Sequence, residues 1–87
     1  MITPTVHLGG TSRQDLLDQF MEAGHALSLA LSKMQEAVPN GRDYTTGGWD
    51  ELALAMHEHS SRVARVQSVM DEYGALCEAV CDPERGG

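Results

Sequence analysis

Two stretches of this chain space their apolar residues alternately three and four apart, and one short segment that cannot be helical separates them. The first seam is Leu17, Phe20, Gly24, Leu27, Leu31, Met34 and Val38. The second is Trp49, Leu52, Met56, His59, Val63, Val66, Met70, Tyr73, Cys77 and Val80, where His59 alone interrupts the apolar or amphipathic run. Spacing of this kind marks a helix face packed against another helix. Pro39 stops the first helix, and Asn40-Gly41 with Gly47-Gly48 brackets a connection longer than most in helical bundles. The pattern predicts an all-α antiparallel helical hairpin with helices over about 13–38 and 49–80 and a loop over 39–48. At 1.5 Å per residue the helices would be roughly 35–40 and 45–50 Å long.

The flanks are also readable. Ile2, Pro4, Val6 and Leu8 alternate with Thr3, Thr5 and His7, the period of extended chain, so residues 1–11 are expected to form a short N-terminal arm. Such an arm either pairs with another copy or lies across a helix, and Pro4 would keep it at an edge. Thr11 and Ser12, followed by Gln14 and Asp15, supply a helix start near Arg13. Asp82-Pro83 ends the second helix ahead of a polar tail over 82–87.

A second apolar line runs beside each seam: Leu16, Ala23, Ala30 and Ala37 on the first helix, and Ala55, Val69 and Leu76 on the second. A lone hairpin would leave these lines wet. The expectation is therefore a homo-oligomer, at least a dimer, assembling into a helical bundle.

Composition narrows the function. Lys and Arg number 6 against 13 Asp and Glu, a net charge of −7, which argues against a bulk nucleic-acid binder. Residues 45–87 carry most of the acid, so the second helix has an acidic face. The apolar runs are short and Met1–Gly10 lacks the basic start and apolar core of a secretory signal, so the expected location is cytoplasmic, without membrane insertion. No Walker loop, Ser-His-Asp set or His-Glu-x-x-His zinc helix is present, and the expectation is a protein that is not an enzyme and takes no cofactor. Cys77 and Cys81, one helical turn apart, read as small apolar filler or as half of a metal site. His57 and His59 point about 200° apart on a helix and are poorly placed to share one ion.

The loop holds the densest chemistry. Arg42 offers a guanidinium fork, Asp43 a carboxylate, Tyr44 and Trp49 aromatic faces, and the start of the second helix offers unpaired amides. Together they suit a small anionic ligand, gripped by Arg42 with an aromatic stacked on a base. The competing reading is a structural turn in which Arg42 pairs with Asp43. A register that closes directly at the loop would set His59 opposite Gly24 and Leu27 with His25 nearby, as a buried polar residue fixing register or as a ligand contact. The expected ligand-binding set is Arg42, Asp43, Tyr44, Trp49 and His59, with no metal site.

Asn40-Gly41-Arg42-Asp43-Tyr44, followed by Gly47, Asp50, Glu58-His59 and Arg62, resembles the pattern of a family of small helical proteins encoded by phages and prophages, over roughly residues 38 to 75. That family often doubles the tyrosine and has a single glycine before its second helix, where this chain has Thr45 and Gly47-Gly48. The resemblance implies an accessory phage protein acting in the host cytoplasm by counter-defence, either on a nucleotide signal or on a defence protein. Two functions follow as expectations: capture of a small anionic ligand such as a host-defence nucleotide, or occlusion of a basic host surface by the acidic second helix.

Overall fold

A computed structural model describes residues 1–44 and 46–81. It contains two long antiparallel helices, α1 over Arg13–Glu36 and α2 over Gly48–Cys81, with a single 3-10 turn over Gly41–Asp43 between them. The molecule is a rod, 61 × 21 × 17 Å. The tail over 82–87, including the Asp82-Pro83 stop, and Thr45 lie outside the described residues.

Each helix begins where local chemistry favours it. The Ser12 hydroxyl accepts a hydrogen bond from the Asp15 backbone N–H at 3.1 Å, and Asp15 sits in the first turn, where a carboxylate favours the helix dipole. α1 ends two residues earlier than the periodicity suggests: the Ala37 N–H turns back to the Met34 carbonyl at 3.0 Å, and Pro39 follows. α2 opens at Gly48, whose φ of +71° is in the left-handed region that costs a side-chain-bearing residue about 1–2 kcal/mol. At Gly47 a Cβ would overlap the Glu51 side chain. Two consecutive glycines thus turn the chain sharply into α2.

Over the paired length of the helices the two seams meet as heptad spacing requires. Leu31 is buried, and Leu17, Phe20, Leu27, Val63, Val66, Met70 and Tyr73 are half-buried. Phe20 and Tyr73 pack with ring centroids 6.2 Å apart and planes tilted by 47°, an arrangement aromatic quadrupoles favour. The second lines are less wet than expected: Leu16, Ala23, Ala55 and Leu76 are half-buried, while Ala30 and Val69 are exposed. Among the described residues only Leu31 and Val80 are buried outright.

The register corrects one expectation. His59 does not face Gly24 and Leu27; Gly24 faces Tyr73, whose Cβ would lie 4.0 Å from a Cβ added there. Tyr73 is fourteen positions beyond His59, about 21 Å along α2. The cause is the loop, which runs back along the first turns of α2 so that Gly41 lies against Leu52. α1 therefore pairs with the later part of α2, and the first three turns of α2 project past the end of α1.

The N-terminal arm has no strand among the described residues. Pro4 and Val6 are half-buried, in keeping with the alternation, but Ile2 and Leu8 are fully exposed. A turn closes the arm, with the Gly10 N–H donating to the His7 carbonyl at 3.1 Å.

Candidate functional site

Asn40 organises the loop. Its backbone is extended, with φ −123° and ψ 135°, and its Oδ1 accepts from the Arg42 backbone N–H at 2.9 Å and from the Arg42 Nε–H at 3.3 Å. This is the Asx turn that makes Asn favourable two residues before a chain reversal. The Asn40 carbonyl accepts from the Asp43 N–H at 3.0 Å, and the Gly41 carbonyl from the Tyr44 N–H at 3.3 Å. Four bonds within five residues hold the guanidinium stem in one orientation.

Only Nε of the Arg42 guanidinium is used in that arrangement. The ion pairs among the described residues are Lys33–Glu36 at 3.3 Å and Arg62–Glu58 at 3.5 Å, so Arg42 is paired with no carboxylate there. The structural-turn alternative, Arg42 tied to Asp43, is not what the loop adopts. The two terminal nitrogens keep the planar fork that recognises carboxylate or phosphate through two parallel bonds.

Arg42, Tyr44 and Trp49 come together around an open concavity of about 510 Å³, with Asn40, Gly41, Gly48 and Leu52 completing the walls. Its size falls within the roughly 300–1,000 Å³ of ligand clefts. Leu52 and the aromatics supply apolar surface, while Arg42 and the first turn of α2 supply donors. Trp49 stands at the rim, 85% exposed. Tyr44 is half-buried.

The remaining expected residues are placed differently. Asp43 is exposed and is not among the residues that line the Arg42 concavity. His59 is half-buried behind Tyr44, sharing with it a second concavity that includes Pro39, Glu58 and Arg62. On its other side His59 borders a groove of about 480 Å³ with Val38, Val63 and Ala64. Tyr44 is thus the wall between the Arg42 site and the His59 site. Asn40 and Leu52 belong to the Arg42 site and were outside the expected set, although Asn two residues before Arg carries the signature of the turn.

Charge around the site is mixed. Asp50 and Glu51 occupy the first turn of α2, and the whole chain is acidic. The long-range field of the chain therefore opposes an anion, and recognition of one depends on close contact. At the opposite end of the rod, burial pushes the Cys77 thiol up, with Cys81 one turn away adding to it. Among the described residues no cluster of three metal-ligating side chains forms, and no helix is long and apolar enough to cross a membrane. Comparisons with protein-family models, curated proteins and solved structures give no match for this chain.

Proposed function

We propose that this chain is a non-enzymatic, homo-oligomeric binding protein that captures a small anionic ligand, such as a nucleotide signal of host defence, at the Arg42 concavity. The observation that carries the reading is the guanidinium of Arg42, held by Asn40 beside Tyr44 and Trp49 and free of any carboxylate among the described residues. The fork grips a phosphate, the α2 amides add donors, and an aromatic face receives a base. The phage context rests on the resemblance of the Asn-Gly-Arg-Asp-Tyr loop alone. Binding requires no covalent step.

The test is thermal stabilisation across a panel of mono-, di- and cyclic nucleotides, since a ligand bound only by the folded state raises its melting temperature. A hit that is lost in Arg42→Ala supports the reading. No shift with any phosphate-bearing compound at millimolar concentration overturns it and leaves occlusion of a basic protein surface by the exposed acids Asp71, Glu72 and Glu78 as the function to pursue.

A further inference from the structure

The last turns of α2, at the opposite end of the rod from Arg42, hold both cysteines of the chain. Cys77 and Cys81 are four positions apart on one continuous helix, so their side chains leave the same side with Cβ atoms about 5–6 Å apart. Val80 between them is only 1% exposed, the most deeply buried of the described residues, and it ties this turn to the rest of the hairpin. Both thiols are free; Cys77 is half-buried and Cys81 exposed. A disulfide requires Cβ atoms about 3.5–4.5 Å apart, closer than one helical turn brings them. The helix therefore presents two neighbouring thiols and resists joining them.

That separation suits an ion between the sulfurs. Two metal–sulfur bonds of about 2.3 Å span about 4.6 Å, a gap that two thiols on successive turns can frame. The charge at this end favours a cation. The C-terminal end of a helix is the negative pole of its dipole, and the last turn of α2 carries no basic side chain to compete for a thiolate. Glu78 is exposed beside the pair, and the net charge of −7 attracts a cation at long range. The ligand set also selects among cations. Zinc takes four ligands, and among the described residues no third histidine, cysteine or carboxylate joins the two thiols. Cu(I) is soft, prefers thiolate, and is satisfied by two sulfurs in line.

We propose that Cys77 and Cys81 form a two-thiolate site for a single Cu(I) ion at the C-terminal end of α2. Binding replaces two S–H bonds with two Cu–S bonds and releases two protons; neither copper nor sulfur changes oxidation state, and the complex carries a charge of −1. Burial and the neighbouring Cys81 both favour the protonated Cys77 thiol, and a cation between the sulfurs reverses that preference, since it screens one thiolate from the other. The site is independent of the Arg42 concavity and of anything bound there.

The experiment is an anaerobic titration with Cu(I), held reduced by ascorbate and buffered by the chromogenic chelator bicinchoninate, with sedimentation equilibrium and circular dichroism on each sample. The proteins are the wild type, Cys77→Ser, Cys81→Ser, and His57→Ala combined with His59→Ala as a control on α2 away from the pair. Cys81 is exposed, so its substitution leaves the hairpin helical. The expected result is a wild type that withdraws one Cu(I) per chain from the chelator, loss of that binding in each serine variant, and retention in the histidine variant. Alkylation of both thiols in the wild type should be blocked by one equivalent of Cu(I) and not by one of Zn(II). Failure of the wild type to withdraw copper overturns the proposal. So does copper retained by either serine variant, which would place the ion elsewhere, or one copper shared by two chains with doubling of the mass, which would make the site intermolecular. No nucleotide is present, so the fate of the ligand reading does not alter the outcome.

Discussion

The two ends of the rod carry the same heptad spacing and use it differently. At the end where α1 begins, α2 presents Tyr73, Cys77 and Val80, half-buried or buried against a helix that runs alongside. At the loop end, α2 presents Trp49, Leu52 and Met56 at the same spacing, but α1 has stopped; Trp49 is 85% and Met56 46% exposed. One end holds the hairpin together. At the other the loop, rather than α1, lies against α2, and that is where the Arg42 concavity occurs. A periodic pattern specifies that a helix face will be covered; which segment covers it depends on how far the loop shifts one helix along the other.

The sharpest way to break this contrast is a charge in the paired seam. Leu31→Asp places an unpaired carboxylate where the side chain is only 8% exposed, and is expected to remove about 3–5 kcal/mol, enough to unfold the chain in a urea titration. An unchanged midpoint would show that the paired end does not carry the stability. The loop end should behave oppositely. Arg42→Ala is expected to leave the melting temperature nearly in place, within about 0.5 kcal/mol, while weakening a nucleotide hit by about tenfold or more in calorimetric titration. Glu72→Lys combined with Glu78→Lys should spare that binding; if the double variant abolishes function and Arg42→Ala does not, the acidic surface is the active one.

Two smaller effects refine the comparison. Gly48→Ala forces a side chain onto φ +71° at the start of α2 and should cost about 1–2 kcal/mol by chemical denaturation, although no atom lies within 4 Å of the added methyl. A loss of that size with no steric contact would identify backbone conformation as the cause. The smallest effect is in thiol chemistry at the paired end. Cys81 is exposed, whereas Cys77 is half-buried with its thiol pushed up, so a larger share of Cys77 stays protonated at a given pH. Mass spectrometry of partially alkylated protein at pH 8 should find Cys81 modified first, and Cys77 gaining on it as pH rises.

Much of the fold is legible in the residues themselves. Ser12 and Asp15 mark the start of α1, Pro39 its end, and the alternating seams give helix number and facing, because caps and periodicity are local properties. The grouping of Arg42, Tyr44 and Trp49 is legible for the same reason: all lie within eight residues of one another. The axial offset is not legible. His59 lies beside Val38 rather than Gly24 because the loop doubles back along α2, and heptad spacing is unchanged by sliding one helix past another in whole repeats. Nor does adjacency to Arg42 in the sequence place Asp43 in the concavity: it is exposed and is not among the residues that line it.

The pairing of Phe20 with Tyr73 has a consequence for how the chain comes into being. These rings lie 53 positions apart, so during translation at about 5–20 residues per second α1 waits roughly 3–10 s for its partner to be synthesised. Throughout that interval Leu17, Phe20, Leu27 and Leu31 have no native surface to close upon. The first helix is therefore made as an apolar surface without its partner, and the hairpin can close only once nearly the whole chain has been synthesised.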